Sequence, residues 1–454
     1  MTDHRPALSG IRLGPAILHG ATVVLRPPRI GDYAQWRRIR LRDQHSIEPF
    51  WTSSPLDWND RHSGKQWVRE CLMVRAQARA GRRLPTVIEI DGRFAGQIEL
   101  VSVESGTGSA EMGLWVDADV ARHGFGGLAA SLMLDFAFDV ARLQRITAPI
   151  SPANIATSRG AALMGFRREA MMTRYFDVGG ARRDHELWAI TREAVPPNGF
   201  TARWIDRYDT EQSAMPMPPE VPSISENAPV PLTTVLVATA RYYAGRTLHM
   251  MDPLRTPKPI RLTDAEHPAL VLRSRRSADW AQWCAARLHS RGRLDPRPGE
   301  PEAAWAAQHS RFRWWRELLR ARTGLPSSGG LVLAIEVDSG YRGEGRLFDL
   351  DMFDHNAKMF VWADTTCDEQ TRLAATQLLL DYAFAELGLC RIETAIELDD
   401  HNAAEVAARV GMIREGRMHS YVGATGRRAD HDLWAVTTAA DQSSRGQVPE
   451  PDVQ

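Results

Sequence analysis

The stretch ADVARHGFGGLAASLMLDFAF, residues 118–138, places three glycines directly before an apolar helical run. The preceding segment MGLWV is typical of a strand, so the order is strand, short turn and helix. The N–H groups of a first helical turn are unpaired and point outward with the positive end of the helix dipole, so phosphate is their usual ligand. Gly124, Gly126 and Gly127 lack side chains that would hinder a diphosphate, and their backbone can aim several N–H groups at one point. The stretch predicts either a diphosphate-binding loop or an ordinary helix entry built from small residues.

Two other phosphate-binding motifs do not fit this stretch. A nucleoside-triphosphate P-loop needs Gly-Lys-Ser or Gly-Lys-Thr, whereas the sequence has Gly126-Gly127-Leu128. A Rossmann fingerprint follows the first strand of a parallel unit and has an acidic residue closing the next strand. Here the glycines follow a predicted antiparallel meander, and the next predicted strand is RITAPI (145–150).

The chain also contains one long internal repeat. VVLRPPRIGDYAQW (23–36) matches LVLRSRRSADWAQW (270–283), 247 positions later, in the leucine, two arginines, the aspartate and the final Ala-Gln-Trp. EAMMTRYFDVGGARRDHELWAI (169–190) aligns without a gap with EGRMHSYVGATGRRADHDLWAV (415–436), 246 positions later. A register held over this length predicts that each half is one folding unit.

Each half is predicted to be α/β (α+β), with a mixed, mostly antiparallel sheet flanked by helices. In the first half, VVLRP predicts a strand, and DYAQWRRIR predicts a helix capped by Asp32. Residues 85–116 alternate apolar and polar positions around two turn pairs, which predicts three antiparallel strands. RITAPI predicts a strand, SRGAALMG a helix, and a hairpin closes the unit at Trp188. One buried face of the helix after the glycines is predicted by apolar residues at every fourth position, namely Leu128, Leu132, Phe136 and Val140.

The repeat and the composition between its copies predict the domain organisation. Prolines and polar residues after the first half favour extended backbone without a core, although LTTVLVATARYYAGR (232–246) has helical spacing. The two lobes are expected to pack as an intramolecular pseudo-dimer. Trp305, Trp314 and Trp315 are expected on a helix, either at the contact between the lobes or as an amphipathic core helix. The predicted boundaries are a first domain at 20–195, a Pro-rich linker with a short helix at 196–261, a second domain at 262–440 and a disordered tail at 441–454.

Composition excludes several classes of partner. Lysine plus arginine and aspartate plus glutamate both number 56, so the broad positive field that nucleic acids or acidic membranes require is absent. The four cysteines lack CxxC spacing, which indicates neither a zinc site nor a disulfide framework and fits a reducing compartment. The N-terminus lacks a basic start followed by a long apolar stretch, and TTVLVATA (233–240) is too short to span a bilayer. We expect a soluble, cytoplasmic protein.

The glycine loop and a later motif resemble the GNAT superfamily of N-acetyltransferases. The superfamily's pyrophosphate loop reads Gln or Arg, two residues, Gly, one residue, Gly or Ala, and Ala121 to Gly126 meets it at both glycines, with Arg122 one place late. SPANIATSRGAALMGFRREA (151–170) is similar to the PxN, small-hydroxyl and Gly-Phe pattern of the branch that includes ribosomal-protein-alanine N-acetyltransferases. The likeness covers residues 20–192 and, more faintly, 262–437.

The resemblance implies acetyl transfer from acetyl-CoA to a primary amine, without a metal or a covalent enzyme intermediate. An α-amino group with a pKa near ~8 needs only modest help to lose its proton. Glu111 is implied as the base, with Glu99 in reserve, and the main chain from Leu114 to Val116 would polarise the thioester. Thr157, with Ser158 beside it, would protonate the departing thiolate, and Asn154 would bind the pantetheine arm or cap a helix. The residues implied in cofactor binding are Leu114, Trp115, Val116, Arg122, His123, Gly124, Phe125, Gly126, Gly127 and Asn154.

The second half replaces most of these groups. Gly124 and Gly126 correspond to Gln370 and Arg372, Glu111 to Lys358, Asn154 to Asp400 and Thr157 to Ala403. Asp368 and Glu369 occupy the loop, where they would repel a diphosphate. We expect the second half to keep its fold and to lack the chemistry of the first.

The leading hypothesis is an acetyl-CoA-dependent N-acetyltransferase acting on a protein N-terminus or a small amine. The alternatives are a non-catalytic acyl-CoA-binding sensor or scaffold, and a transferase of a larger acyl group such as succinyl. EPFWTSSPLDW (48–58) is expected to line the acceptor channel. The sequence leaves the identity of the amine open.

Overall fold

The computed structural model describes residues 8–104, 106–211, 229–250, 259–294, 302–307, 309–322 and 330–438. The chain divides into two compact units, which we call the first unit (Met1–Met171 and Phe176–Asp252) and the second unit (Met172–Tyr175 and Pro253–Gln454). The tail predicted at 441–454 and the predicted linker residues 212–228 and 251–258 lie outside the described residues.

The first unit is built on one mixed β-sheet. Its strand order is β1-β2-β3-β4-β5-β6-β8-β7. Neighbours from β1 to β5 are antiparallel, β5 and β6 are parallel, and β6 and β8 are antiparallel. The mixed, mostly antiparallel sheet predicted from the sequence is thereby confirmed. The strands are β1 Leu13–Leu18, β2 Ala21–Arg26, β3 Leu84–Ile90, β4 Arg93–Glu104, β5 Ser109–Val116, β6 Arg145–Ile150, β7 Arg167–Val178 and β8 Ala181–Thr191.

Helices cover both faces of this sheet. One face packs on α5 through an apolar core that includes Ile98 and Leu128. The other face packs on α1, α4 and α8 through a cluster that includes Trp36, Trp67 and Trp115. Adjacent strand residues supply the two cores because side chains alternate between the faces of a strand. The helices are α1 Tyr33–Arg42, α2 Gln44–Ile47, α3 Trp58–Arg61, α4 Gly64–Arg79, α5 Phe125–Asp135, α6 Ile155–Met164, α7 Gly199–Glu211 and α8 Leu232–Met250.

The second unit repeats this plan, with strand order β15-β16-β14-β13-β12-β11-β10-β9. β13 and β14 form its parallel pair. Its strands are β9 Arg261–Thr263, β10 Leu270–Ser274, β11 Leu331–Val337, β12 Gly340–Asp351, β13 Asn356–Ala363, β14 Arg391–Glu397, β15 Ile413–Val422 and β16 Arg428–Thr437. Its helices are α9 Trp280–His289, α10 Arg291–Leu294, α11 Glu302–Ala307, α12 Arg311–Arg322, α13 Glu369–Ala385 and α14 His401–Arg409.

The repeated residues make the same contacts in both units. In the first unit, two guanidinium nitrogens of Arg26 bind Asp32 at 2.9 and 2.8 Å, and Arg273 binds Asp279 at 2.8 and 2.9 Å in the second. Both pairs are buried, where loss of one partner would leave an uncompensated charge. The repeat therefore preserves a buried ion pair that links β2 to the start of α1 in the first unit and β10 to the start of α9 in the second.

Asp32 differs from its predicted role as the cap of α1. Its side chain makes no cap hydrogen bond to α1. It instead accepts from the Arg29 N–H at 2.7 Å and from Arg26, because a buried guanidinium needs a carboxylate partner.

The predicted extended linker is wrong over residues 199–211, which form α7. Phe200 and Trp204 are buried in the core beside α5. Asp135 binds the start of α7, accepting from the N–H groups of Phe200 at 2.6 Å and Thr201 at 2.9 Å. Burial of these two aromatic side chains stabilises the helix despite the prolines nearby in the sequence. The helix predicted at 232–246 is present as α8, which packs on α4.

One other expectation is wrong, and one pair of alternatives is decided. Val140 is 67% exposed, because each four-residue step turns the helix about 40° too far and a π-helical turn, Phe136–Val140, ends the element. Trp305 and Trp314 are buried in the second unit's own core, whereas Trp315 is exposed. The core interpretation of this helical segment therefore holds for the first two tryptophans.

Candidate functional site

The site of the first unit lies where its sheet divides. β5 and β6 pair in parallel from Ser109 with Arg145 to Glu111 with Thr147, and the pairing ends there. β5 stays paired with β4 as far as Val116, so only its β6 side opens. Main-chain groups on that side of β5 have no strand to bond with. Glu111 therefore stands at the closed end of a wedge between two strands.

The glycine loop leads from β5 into α5 beside this wedge. Arg122 and Gly124 both have left-handed backbone, with φ of 67° and 83°. Gly124 is the N-cap residue of α5, and no side chain caps the helix. The N–H groups of Phe125, Gly126 and Gly127 belong to a first helical turn and have no carbonyl within the helix to bond. The loop thus presents uncapped amides at the positive end of a helix dipole.

Two of the glycines also have a packing role, because α7 fills the space next to them. A Cβ on Gly124 would lie 2.7 Å from Cζ of Tyr208, and a Cβ on Gly127 would overlap the indole of Trp204. The Trp204 indole N–H also donates to the Gly124 carbonyl oxygen at 2.9 Å. Gly124 and Gly127 therefore make room for a helix, and α7 holds the loop from behind. Gly126 does not face α7: a Cβ added to it would lie 3.1 Å from the Val116 side chain.

The other predicted cofactor residues differ in what they present. Phe125 points into the core and is 1% exposed, so only its main chain is available. Trp115 is likewise buried, with its indole N–H donating to Gln97 Oε1 at 3.0 Å. Leu114 is exposed, and the buried Nδ1 of His123 has no hydrogen-bond partner among the described residues. The groups that the loop could offer a ligand are therefore its backbone, the His123 ring and the exposed side chain of Arg122.

The two candidate bases share one face of the sheet. Val101 lies opposite Glu111 and Glu99 lies opposite Gly113, so Glu99, Glu111 and Trp115 project to the side that carries α1 and α4. Arg83 binds both oxygens of Glu99 at 2.7 Å. This bidentate pair occupies both oxygens of Glu99.

A third carboxylate on this face was missed by the sequence analysis. Gln97 accepts from the indole N–H groups of Trp36 at 3.2 Å and Trp115 at 3.0 Å, so its amide nitrogen points to Glu70 Oε1 at 3.5 Å. Burial raises the pKa of Glu70, and Glu99 raises it further. A carboxyl group with a raised pKa is a candidate proton acceptor near neutral pH. The available signal was the recurrence of Trp-x-Arg-Glu at 67–70 and 314–317.

The segment expected to line the acceptor channel packs beside this face. Trp51 and Trp58 of that segment surround Arg40, whose guanidinium carbon lies 3.8 Å from the Trp51 ring centre. Burial lowers the pKa of Arg40 to about 9. The Arg40 Nε–H donates to Nε2 of His62 at 3.1 Å, and burial lowers the pKa of His62 to about 4, so that ring is neutral. Trp51 and Trp58 of this segment thus pack on Arg40 beside the face that carries the candidate bases.

The hydroxyl candidates lie at the start of α6. The Asn154 side-chain oxygen accepts from the Thr157 N–H at 3.2 Å, which confirms the helix-cap alternative for Asn154. Thr157 is exposed. Ser158 Oγ donates to Glu186 at 3.4 Å. Of the two hydroxyl groups, Ser158 therefore has the carboxylate partner.

In the second unit the same face carries the opposite charge. Lys358, at the position of Glu111, binds Asp349 at 2.9 Å. Burial opposes the charge of Lys358, but Tyr421, Asp349 and Glu393 raise its pKa well above the ordinary value. Arg346 occupies the position of Glu99 and pairs with buried Glu344. Both candidate bases are thus replaced by cations.

The described residues contain no group of three or more His, Cys, Asp or Glu side chains arranged to hold a metal. Among the helices of the described ranges, none has the length and apolar character that crossing a bilayer requires. The four cysteines are free, and three of them are buried.

Each of the following matches to known proteins covers less than half of this chain. The profile of the Acetyltransferase (GNAT) domain family matches residues 22–167. Mycobacterium smegmatis RimJ, solved in complex with CoA-disulfide, is 39% identical, and the match covers 44% of this chain and 96% of RimJ with a TM-score of 0.43. The Probable N-acetyltransferase YjcK of Bacillus subtilis (strain 168) is 23% identical over 175 residues, 38% of this chain and 96% of YjcK. A ribosomal-protein-S5-alanine acetyltransferase from Vibrio fischeri is 18% identical, covering 38% of this chain and 93% of that one, with a TM-score of 0.35.

A mixed sheet that divides at one parallel pair, with an uncapped helix start beside the division, defines an acyltransferase when taken with these sequence matches. The chain belongs to the GNAT acetyltransferase family. The family resemblance stated from the sequence is confirmed.

Proposed function

We propose that the first unit transfers an acetyl group from acetyl-CoA to a primary amine, either a protein N-terminal α-amine or a small molecule. Direct attack of the amine on the thioester requires no metal and no enzyme-bound intermediate. The observation that carries the proposal is the coincidence of Glu111 at the closed end of the wedge with the uncapped start of α5 beside it. RimJ, 39% identical, binds CoA as a disulfide in its solved structure, which supports CoA as the donor's carrier.

The main chain of the glycine loop fits a diphosphate. The N–H groups of Phe125, Gly126 and Gly127 have no partners within the helix. Arg122 and Gly124 have left-handed backbone, the conformation found in loops whose successive amides bind an anion. Acetyl-CoA would supply an activated thioester at the wedge. Main-chain N–H groups of Leu114, Trp115 or Val116 on the open side of β5 would polarise the thioester oxygen.

Glu111 is the proposed base. It lies at the point where β5 leaves β6, whereas Glu99 is held by two hydrogen bonds from Arg83. The amine must lose one proton before or during attack, and Glu111 would accept it directly or through water. Glu70 on α4 extends the acidic face and is a second candidate acceptor for that proton.

Ser158 and Thr157 are the proposed donors to the departing thiolate. Ser158 donates its one hydroxyl proton to Glu186, so its O–H would have to turn from this carboxylate to the thiolate, and solvent water would then return the proton to Ser158. Both residues follow the cap of α6, so backbone motion there is restrained. We also propose that the protein acts in the cytoplasm, since its thiols are free and unpaired with one another.

The test is turnover of acetyl-CoA by the full-length chain with peptides and small primary amines. Thiol release that depends on amine, with a mass increase of one acetyl group on the amine, supports the proposal. Succinyl-CoA is the comparison donor. Amine-independent thiol release, or faster transfer from succinyl-CoA, would contradict it.

A further inference from the structure

The second unit contains a cleft of about 370 Å³ at the point where its own sheet divides. β13 and β14 pair in parallel only from Asn356 with Arg391 to Lys358 with Glu393. The next residues of both strands line the cleft, and α14 covers one side. The cleft is therefore the counterpart of the wedge beside Glu111, and its volume suits a small organic molecule.

Carboxylates occupy the helix starts that face this cleft. Asp368 accepts from the Thr371 N–H at 2.7 Å and caps α13, the counterpart of α5. Asp400 accepts from the Ala403 N–H at 3.0 Å and caps α14. These are the amides that would bind an anion, and each already has an anionic partner within the chain. A diphosphate would meet negative charge at both places.

The mouth of the cleft is acidic. Glu397, Asp399 and Asp400 line it, where the repeat places Ser151, Ala153 and Asn154 in the first unit. Two arginines also line the cleft. Arg427 pairs with Glu397 and lies 3.8 Å from Asp399, and Arg372 donates to the Cys367 carbonyl at 3.3 Å. Three carboxylates against two guanidinium groups leave an excess of negative charge.

Part of the interior is apolar. Met359, Val406 and Met412 line it, and Met359 and Met412 also belong to the second unit's core. His431 is 1% exposed, and burial lowers its pKa, so it adds no positive charge. An apolar interior with an acidic mouth matches an amphipathic cation.

We propose that this cleft binds an organic cation, a primary ammonium group on a compact apolar body. The ammonium group binds at Asp399 and Asp400, and the apolar body lies between β13 and α14. This site is separate from the acyl-transfer site of the first unit. It therefore holds whether or not the proposed transfer reaction is correct.

The test is binding of three probes that share a phenyl ring and differ in charge: 2-phenylethylamine, 2-phenylethanol and 3-phenylpropionate. Isothermal titration and saturation-transfer NMR on the full-length chain report binding without turnover. The amine is expected to bind at least tenfold more tightly than the other two.

The double variant Asp399→Ala with Asp400→Asn restores the first unit's residues and keeps a capping side chain, so it should fold and bind the amine at least fivefold more weakly.

The matched control is Asp381→Asn with Glu405→Gln, which removes two exposed carboxylates of α13 and α14 that do not line the cleft. It should bind the amine like the unaltered chain. Equal binding of the three probes, preference for the anion, or absence of amine binding would overturn the proposal. Amine binding that is unchanged in the Asp399/Asp400 variant would assign the amine to the first unit and overturn it equally.

Discussion

The two units keep the same scaffold and reverse the chemistry of one sheet face. Both retain a buried Arg–Asp pair, Arg26–Asp32 or Arg273–Asp279. Both also retain an arginine that donates to a histidine and lies against tryptophans, Arg40 with His62 or Arg287 with His309. At the division of the sheet, Glu111 faces one wedge and Lys358 the other. The residues that stabilise the fold therefore differ from the residues proposed for catalysis. The change from Glu111 to Lys358 leaves the buried ion pairs intact.

The largest expected effect is the loss of activity when Glu111, the counterpart of Lys358, is replaced. Glu111→Gln should lower kcat/KM by about 10²- to 10⁴-fold, because the amine loses its proton acceptor. Cofactor affinity should stay within about twofold, since the loop is untouched. Amine-dependent thiol release and titration with CoA measure the two quantities.

Lys358→Gln is the matched control at the same register of the second unit. It removes a half-exposed ion pair with Asp349 and should leave turnover unchanged. Equal losses in the two variants would mean that the units do not differ in the way described.

The next effect concerns the loop. Gly126→Arg introduces the second unit's residue where a Cβ already lies 3.1 Å from Val116. It should raise the KM for acetyl-CoA at least tenfold while kcat changes less. Arg372→Gly, the reverse change in the second unit, should add no CoA site because Asp368 still caps α13. A second bound CoA in that variant would refute the role given to the cap.

A smaller effect tests α7 as a support of the loop. Trp204→Phe keeps an aromatic ring and removes the hydrogen bond to the Gly124 carbonyl, worth about 1 kcal/mol. As a positioning residue, Trp204 should affect the KM for acetyl-CoA, by roughly fivefold, and not kcat. Phe200→Leu changes the same helix without touching the loop and should leave KM unaltered. A loss confined to kcat would contradict the role.

The smallest effect is on stability against pH. The pKa of Glu70 is raised by burial, so the folded state holds its proton above the ordinary pKa of a glutamate. Stability should fall as pH rises from that ordinary value through the raised one, because the unfolded chain ionises first. Glu70→Gln should remove this decline and raise Tm at pH 8 by roughly 1–3 °C.

Glu317→Gln, at the matching position, should not raise Tm, since Glu317 lies 3.5 Å from both Arg275 and Arg313. A rise in Tm for both variants, or for neither, in thermal melts across pH would contradict the difference between these carboxylates.

Residues with a fixed local partner could be predicted from the sequence. The alternation in 85–116 gave three antiparallel strands, and the recurrence of Arg26 and Asp32 as Arg273 and Asp279 marked the repeat, because each contact lies within a short stretch of chain. The position of Asn154 before a helix predicted its capping hydrogen bond. The packing of the two lobes as a pseudo-dimer stays a prediction.

The remaining features depend on contacts between distant segments. Trp204 bonds a carbonyl 80 residues earlier, and no local pattern relates a tryptophan in a proline-rich stretch to a glycine loop. Glu70 gains its raised pKa only because α4 packs over β4. Glycines at 124 and 127 also make room for α7, and no local pattern in the sequence indicates that second requirement.

The most direct test of the account is the number of CoA molecules that bind each full-length chain, measured by isothermal titration. The account predicts one site, which Gly126→Arg weakens at least tenfold and Arg372→Gly does not change. Two sites per chain, or one site that survives Gly126→Arg with unchanged affinity, would contradict it.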